Sequence, residues 1–283
     1  MEKKHKVKNL IRPWDDWAKS WEHTTSPSRP TKAEIAVYKK ACDKYLRGRK
    51  NTRVLIFGAT PELRDLVSGY PGAQVTVADI NMVMIKAMTL LTKKAKTDKE
   101  VWIKGDWIRL PLPEKHFDLI LGDFTFENLP FRLHRKYFEN VHRWLKDSGC
   151  YAGRFFVFRE KYSPYSFDEL ALSARGKKLD SAFLNQFWTI GAFFLGRMKT
   201  KEIVVADFVR LLEKNRKNPV ISKILKQGSY FFPPDKRWFI WLASELKAMI
   251  GDLFLAREAG YDRRINMPKQ YRDLAPVWFL SKK

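Results

Sequence analysis

The chain has 283 residues, enough to bury a sizeable core, and its hydrophobic fraction of 45% is ordinary for a globular protein. No stretch approaches the roughly 20 uncharged apolar residues of a membrane span, and no apolar segment follows the basic N-terminus, so we expect a cytoplasmic protein without a membrane span. The two cysteines, Cys42 and Cys150, match no metal-binding spacing, so the sequence predicts free thiols and no metal site.

The formal net charge of +23 is densest on the flanks of the chain. Residues 1–50 and 201–283 each carry a net charge of +8, and the central 150 residues carry the remaining +7. Such an excess favours a polyanionic partner such as RNA, an anionic substrate or a membrane surface. Solvated lysine-rich faces explain it as well, because no block of pure Lys and Arg stands out.

Residues 1–50 are predicted to form an irregular arm followed by a cap helix. Three tryptophans recur at helical spacing, which favours a short amphipathic helix with all of them on one face: Trp14, Trp17 and Trp21. The prolines that follow would end this helix. The sequence Thr31-Lys-Ala-Glu34 is a capping box, so it predicts the start of a second helix, which we expect to end near Gly48.

The stretch Arg53–Leu63 reads as a strand, a turn and the start of a helix. Val54–Phe57 is a continuous apolar run, as expected for a strand that is buried on both faces of a parallel sheet. Gly58 permits a sharp turn, Thr60 is a candidate N-cap, and Pro61 suits the first helical position. Such a turn directs backbone N–H groups at a ligand, although a single glycine falls short of G-x-G-x-x-G.

Four further strands follow, spaced widely enough for helices between them. They are predicted at Gln74–Asp79, Val101–Lys104, Phe117–Asp123 and Cys150–Phe158. An amphipathic helix is predicted from Phe131 to Leu145, closed by a glycine cap at Gly149. Strands that alternate with helices indicate an α/β fold with a doubly wound parallel sheet, and its ligand site is expected at the carboxyl ends of the strands.

Residues 159–258 break this rhythm and are predicted to be mostly helical. Aromatic-rich apolar stretches lie at Phe183–Leu195, Val204–Leu212 and Trp238–Leu255, and the last helix would end at Gly260. Two terminal strands are predicted at Arg263–Met267 and Val277–Leu280. The predicted domains are therefore an arm and cap helix (1–50), a nucleotide-binding core (51–158), a helical lid or acceptor region (159–258) and a closing strand pair (259–283).

Two of the predicted strands end on an acid. Asp79 lies 21 residues after Gly58, at the tip of the second strand, where a carboxylate can accept hydrogen bonds from ribose hydroxyls. The alternative for Asp79 is a helix cap, because Asn81 opens another helix. Asp123 ends the fourth strand in the same way.

With these elements in place, the chain resembles a class I S-adenosylmethionine-dependent methyltransferase over roughly Arg53–Phe158 and the last 25 residues. The resemblance rests on these segments: Ile56–Leu63, Val77–Asn81, Gly105–Trp107, Phe117–Asp123 and Leu145–Gly149, with Ser26–Pro30 similar to the family's leader. It implies a seven-stranded, mostly parallel sheet with an antiparallel last strand, and a helical insertion after strand five. Dinucleotide binding is the main structural alternative, and Gly105-Asp-Trp107 fits a methyltransferase better.

The resemblance also implies S-adenosylmethionine as the cofactor and assigns residues to it. The implied cofactor-binding residues are Gly58, Ala59, Thr60, Asp79, Ile80, Asp106, Trp107, Asp123, Phe124 and Thr125. Asp79 would hold the ribose, Asp106 would take the adenine amine, and the turn at Gly58 would pack against the methionine part. The candidates for the acceptor pocket are Trp17, Trp21, Arg29, Asn128, Tyr162 and Tyr165.

Methyl transfer from a sulfonium is an in-line displacement, so the protein mainly supplies proximity and orientation, plus a base if the acceptor must lose a proton. Asp123 is the best-placed candidate for this catalytic base, whereas His134 and His142 are expected to be packing or surface residues. The tip of strand four lacks the Asn/Asp-Pro-Pro-Tyr/Phe motif typical of exocyclic-amine methylation. Neither cysteine has the Pro-Cys context of cytosine-C5 methylation.

Three functions stay open. The first is O- or N-methylation of a small molecule enclosed by the helical region and the tryptophan arm, since an apolar enclosure excludes water. The second is methylation of tRNA or rRNA that is bound by the basic flanks. The third is an inactive partner subunit with a methyltransferase fold, against which the retained acids argue.

Overall fold

The computed structural model describes residues 24–163, 165–195, 201–227, 235–265 and 267–283. The strands are β1 (Thr52–Phe57), β2 (Ala73–Asp79), β3 (Val101–Lys104), β4 (Phe117–Asp123), β5 (Leu145–Arg154), β6 (Val157–Phe158), β7 (Glu202–Val204), β8 (Arg237–Phe239), β9 (Trp241–Leu242), β10 (Phe254–Gly260) and β11 (Val277–Lys282). The helices are α1 (Lys32–Leu46), α2 (Pro61–Val67), α3 (Met82–Thr89), α4 (Phe131–Trp144), α5 (Phe167–Ser173), α6 (Ser181–Phe194), α7 (Val205–Lys214), α8 (Pro219–Gln227) and α9 (Ala243–Ile250), with short 3₁₀ turns at Thr97–Lys99, Phe126–Asn128 and Lys269–Tyr271.

Seven strands form one sheet in the order β10-β11-β5-β4-β1-β2-β3. Strands β1 to β5 pair in parallel, and β11 runs antiparallel between β5 and β10. This confirms the predicted doubly wound sheet with an antiparallel last strand. Alternate residues of β1 and β4 face opposite layers, so α1 and α2 cover one face of the sheet while α4 and α9 cover the other.

Two predictions about the C-terminal part are wrong. The helix expected to run to Gly260 ends at Ile250, and Phe254–Gly260 is the edge strand β10. The strand expected from Arg263 is a turn at Arg263–Ile265, and β11 alone follows. The physical reason is pairing: β10 hydrogen-bonds along β11, and this long-range partner decides the conformation of a stretch whose local pattern reads as helical.

The predicted glycine cap at Gly149 is also wrong, because β5 begins at Leu145 directly after α4. The pairing of β4 with β5 shifts register here, as Phe117 pairs with Leu145 and Leu119 with Cys150. A Cβ on Gly149 would lie 3.0 Å from the carbonyl oxygen of Phe117. The glycine therefore serves the close approach of two backbones at a bulge and not a helix end.

The region after β5 contains the predicted helices α6 and α7, and among the described residues no helix is long and apolar enough to cross a membrane. Its aromatic residues, among them Trp188, Phe193 and Phe208, pack in one hydrophobic cluster with residues of β2 and α3. Whether this region acts as a lid stays a prediction, as do the domain boundaries. The tryptophan arm, with Trp17 and Trp21, lies outside the described residues.

Helix α1 is fixed at its start and against the sheet. The predicted capping box is confirmed: the Glu34 N–H donates to the Thr31 hydroxyl at 3.2 Å, and the Glu34 carboxylate accepts from the Thr31 N–H at 2.8 Å. Further along the helix, the Tyr38 hydroxyl donates to the Gly122 carbonyl and accepts from the Arg154 N–H, both at 2.7 Å. Tyr38 thus bridges β4 and β5 at their carboxyl ends.

A buried cation joins the same three elements. The Arg154 guanidinium donates to both carboxylate oxygens of Asp123, at 2.7 and 3.2 Å, and to the carboxylate of Glu34 at 2.8 Å. The side chains of Arg154, Asp123 and Glu34 are 0%, 2% and 1% exposed. Removing one member of such a group leaves uncompensated charge in a medium of low dielectric constant.

We expect Arg154→Met to lower the free energy of unfolding by about 3–5 kcal/mol, because it leaves two buried carboxylates unpaired. Arg135→Met is the matched control, since Arg135 makes the same two-pronged contact with Asp252 on the surface. The control should cost at most about 1 kcal/mol. Urea denaturation of both variants measures the difference, and equal losses would contradict a structural role for the buried group.

Candidate functional site

A cavity that is open on one side lies at the carboxyl ends of β1, β2, β3 and β4. The structure brings all ten predicted cofactor-binding residues to its wall: Gly58, Ala59, Thr60, Asp79, Ile80, Asp106, Trp107, Asp123, Phe124 and Thr125. Their convergence follows from topology, since the ends of parallel strands meet at one edge of a sheet. Their role in binding a cofactor stays a prediction.

The turn after β1 has the expected shape but not the expected cap. Gly58 has φ +72°, a left-handed conformation that favours glycine, and its N–H donates to the Ala78 carbonyl at 3.0 Å. Pro61 is the first residue of α2, as predicted. The Thr60 side chain makes no capping hydrogen bond. Fixed backbone conformation at Gly58 and Pro61, and not side-chain capping, therefore shapes the turn.

Asp79 is a buried acid at the tip of β2. Its Oδ1 accepts from the Asn81 N–H at 2.7 Å, and Asn81 itself caps α3 through the N–H groups of Val83 and Met84. Burial raises the pKa of Asp79 to about 7, against the lowering effect of the backbone hydrogen bonds and of Lys236. Asn81, and not Asp79, therefore caps the helix. Ionisation of the Asp79 carboxyl costs free energy unless a further hydrogen-bond donor reaches it.

The third strand contributes Asp106 and Trp107. Asp106 Oδ1 accepts from the Ile108 N–H at 2.9 Å, which fixes the loop. The Trp107 indole N–H donates to the Ala78 carbonyl at 2.9 Å, and its ring packs 5.6 Å from that of Phe57. Trp107 is thereby locked against the sheet with part of its ring on the cavity wall.

The tip of β4 is held in a strained conformation. Phe124 has φ +50°, which is uncommon for a residue with a side chain. Its ring stacks on Phe156 at 3.8 Å and carries the Arg154 guanidinium 4.1 Å from its centroid, so both faces are covered. The geometry does not favour Asp123 as a catalytic base, because both of its carboxylate oxygens accept from Arg154. Asp123 acts here as the anchor of the tip.

The side chain of Thr125, like that of Asp123, is engaged in contacts within the protein. Its hydroxyl lies 2.8 Å from the Tyr137 hydroxyl and 3.0 Å from that of Tyr151, and the two tyrosines are 3.0 Å apart. This closed triangle sits beneath the cavity and leaves the Thr125 side chain as structural support.

The opposite wall comes from the region after β5, and sequence reasoning missed most of it. Phe156, Phe193 of α6 and Trp238 of β8 form a continuous aromatic wall, with ring centroids 4.9 and 5.3 Å apart along it. Ser28 closes the rim, and its hydroxyl donates to Asn185 Oδ1 at 3.1 Å. Ser28 lies in the Ser26–Pro30 segment that resembles the family's leader, whereas the three aromatic positions fall in no such motif and are identified only by packing.

A lysine and a glutamate lie buried behind this aromatic wall of the cavity. The Lys236 ammonium donates to Asn128 Oδ1 at 2.5 Å, and the Asn128 amide donates to the Phe124 and Thr125 carbonyls. Burial lowers the pKa of Lys236 well below its usual value. Glu127 accepts from the Phe156 N–H at 2.8 Å, and burial raises its pKa to about 8. Lys236 thus ties β8 to the strained tip of β4.

The predicted acceptor residues fall into two groups, those that line the cavity and those that do not. Asn128 lines the cavity, whereas Arg29, Tyr162 and Tyr165 do not. Arg29 pairs with Glu62 at 2.5 Å, the Tyr162 hydroxyl donates to Asp273 at 2.8 Å, and the Tyr165 ring packs against Tyr271. These three side chains are therefore engaged in contacts outside the cavity.

Two histidines behave as expected. His134 is buried between the Leu129 carbonyl and the Trp241 indole N–H, and burial lowers its pKa to about 4. His142 packs edge-on against Phe254. Neither lines the cavity, and within the described residues no group of three or more potential metal ligands occurs.

The comparisons with known proteins agree with this geometry. Residues 58–152 match the family model described as "Methyltransferase domain". Comparison with curated protein sequences finds no match to the chain. Among solved structures, the 1,6-didemethyltoxoflavin-N1-methyltransferase of Burkholderia thailandensis, with bound 1,6-didemethyltoxoflavin and S-adenosylhomocysteine, is 12% identical at a TM-score of 0.53, covering 100% of this chain and 90% of that one.

Two more solved structures share the fold. A chain from a complex between the Haloferax volcanii Trm112 methyltransferase activator and a methyltransferase is 13% identical at a TM-score of 0.50, covering 95% of this chain and 97% of that one. The YcgJ protein of Bacillus subtilis is 13% identical at a TM-score of 0.51, with 89% and 100% covered. At such identities the structural likeness speaks for the fold alone.

The matched domain covers the glycine turn and the acids of β2, β3 and β4, and the sheet order is the one expected for that family. Its cofactor is S-adenosylmethionine, and the cavity at the strand tips has buried acids and apolar walls of the kind that such a cofactor requires. Residues 58–152 thus form a methyltransferase domain, and the chain has the fold of the class I S-adenosylmethionine-dependent methyltransferases.

Proposed function

We propose that this protein transfers the methyl group of S-adenosylmethionine to a small-molecule acceptor inside the cavity. The observation that carries the proposal is the joint wall: the acids of β2 and β3 share one cavity with the aromatic side chains that follow β5. One half has the chemistry to hold the cofactor, and the other half encloses an apolar space beside it.

When bound, S-adenosylmethionine supplies a methyl group already activated by the positive charge of its sulfur. Asp79 would accept hydrogen bonds from the ribose hydroxyls, Asp106 from the adenine amine, and Gly58 would let the backbone approach the methionine part. Asp123 orients the tip of β4 through Arg154. The apolar side chains keep water from the reacting atoms, and catalysis rests on proximity and orientation.

The position of one cationic cluster supports this proposal over RNA methylation. A cluster of exposed cations lies at the end of α1 and before β1, at the amino edge of the sheet: Lys39, Lys40, Lys44, Arg47, Arg49 and Lys50. That edge is opposite the cavity, so phosphates bound there would not lead a base to the strand tips. An inactive partner subunit would have no need for the enclosed cavity.

Incubation with radiolabelled S-adenosylmethionine and a cell extract tests the proposal. We expect label in the low-mass fraction, insensitive to ribonuclease, and less transfer by the Asp79→Ala variant at subsaturating S-adenosylmethionine. Label that sediments with RNA and disappears after ribonuclease would establish the RNA alternative. Cofactor binding without transfer to any fraction would favour the inactive subunit.

Asp79→Ala should weaken binding of S-adenosylmethionine about tenfold, because a ribose donor then loses its buried acceptor, at a cost of roughly 1–3 kcal/mol. Asp118→Ala is the control, since Asp118 lies at the amino end of β4 and pairs with Lys146. Isothermal titration calorimetry measures both affinities. Unchanged binding by Asp79→Ala would contradict the assignment of Asp79 to the ribose.

The affinity for S-adenosylhomocysteine should rise between about pH 6 and pH 8, because the carboxylate form of Asp79 accepts the ribose hydrogen bonds and its pKa in the folded protein is about 7. Asp79→Asn should remove this component of the pH dependence. Titration of the ligand's own amine is common to both proteins and cancels in the comparison. Parallel pH profiles would contradict the prediction.

The contribution of Asp79 to the free energy of unfolding should fall as the pH rises, whereas its contribution to ligand affinity should increase. The folded-state pKa of Asp79 is raised, so its contribution to stability is present below about pH 4 and is lost as the pH rises through 7. Without ligand, Asp79→Asn should therefore have a higher Tm than the wild type above pH 7, and the difference should vanish near pH 4. Thermal unfolding followed by circular dichroism measures it.

A further inference from the structure

We infer that the acceptor is an aromatic compound that bears an N–H or O–H donor and no negative charge. This inference rests on the proposed function, because it concerns the half of the same cavity that the cofactor would leave open. It follows from the charges, the hydrogen-bonding capacity and the side-chain types that the described residues present there.

The cavity opposes the charge of the whole protein. Although the chain carries a net charge of +23, the described residues on the cavity wall include no Lys, Arg or His, and their ionisable groups are the acids Asp79, Asp106 and Asp123. Two buried cations lie behind the wall: Arg154 is 0% exposed and faces two carboxylates, and Lys236 is 3% exposed and donates to Asn128 Oδ1. Neither side chain is part of the cavity wall. A carboxylate or phosphate on the acceptor would therefore be desolvated without a counter-charge.

Three polar side chains near the open half have their protons engaged within the protein: Ser28, Asn128 and Thr189. The Ser28 hydroxyl gives its proton to Asn185 Oδ1 at 3.1 Å, and the Thr189 hydroxyl points to the same oxygen at 3.4 Å. Asn128 has its amide on the carbonyls of Phe124 and Thr125 and its oxygen on Lys236. The hydroxyl oxygens of Ser28 and Thr189 remain able to accept a hydrogen bond from a ligand. A ligand that carries an N–H or O–H donor therefore complements them.

The apolar part of this half is aromatic. Phe156, Phe193 and Trp238 line it at exposures of 4%, 1% and 3%, and their ring planes are tilted by 52° and 43° from one to the next. Rings set at such angles present faces and edges to a guest in alternation, which suits another ring in a tilted or offset arrangement. An aliphatic guest would gain burial but not these contacts.

Two fluorescent probes with the same rings test the inference on the full chain saturated with S-adenosylhomocysteine. N-phenyl-1-naphthylamine is uncharged and carries one N–H, and 8-anilinonaphthalene-1-sulfonate adds a sulfonate to the same skeleton. We expect the uncharged probe to bind at least about tenfold more tightly, although the positive surface favours the anion. Phe193→Leu should weaken it several-fold, and Leu172→Ala, at an exposed position, should not.

Thr189→Val adds a variant of nearly unchanged volume that removes one hydroxyl, and it should weaken the uncharged probe without affecting S-adenosylhomocysteine. Sulfonate binding that equals that of the uncharged probe and responds to Phe193→Leu would overturn the inference. So would uncharged-probe binding that ignores both cavity variants, or its absence. Calorimetry with S-adenosylhomocysteine alone separates failure of this inference from failure of the proposed function. If S-adenosylhomocysteine does not bind, the proposed function is overturned as well.

Discussion

The ion pair between Arg154 and Asp123, with Glu34 as the third member, is the interaction on which the site depends. Backbone groups at the end of a strand need partners to replace the ladder that stops there. Here α1 bridges the ends of β4 and β5 with the Tyr38 hydroxyl, and its Glu34 carboxylate accepts from Arg154. The ends of the two strands beside the cavity are thereby held by buried, mutually satisfied groups.

The same guanidinium explains the strained tip of β4. Phe124 adopts a left-handed backbone conformation, which costs energy for a residue with a Cβ, and it is held by stacking between Arg154 and Phe156. Lys236 reaches the tip from the other side through Asn128. Strain at this point is sustained because contacts from β5 and β8 both fix the conformation.

A separation of charge runs through the molecule. Many of the described Lys and Arg side chains are exposed on the surface, with Arg64, Arg154 and Lys236 as buried exceptions, and the described cavity wall is acidic and aromatic. Composition alone therefore points to the wrong kind of partner for the site. A positive surface can serve solubility or a separate contact, whereas specificity is decided by the few groups that a bound ligand would desolvate.

The sequence by itself determined the parallel sheet, the turn at Gly58 and the acids at the strand tips, because these depend on local patterns: a continuous apolar run, a glycine and a polar residue where a strand ends. It could not determine β10, which depends on a partner strand, or the bulge at Gly149, which depends on the register of β4 against β5. Only the tertiary structure showed that Asp123 is paired with Arg154, and that Phe156, Phe193 and Trp238 share a wall, because these contacts join residues distant in sequence whose meeting no local period encodes.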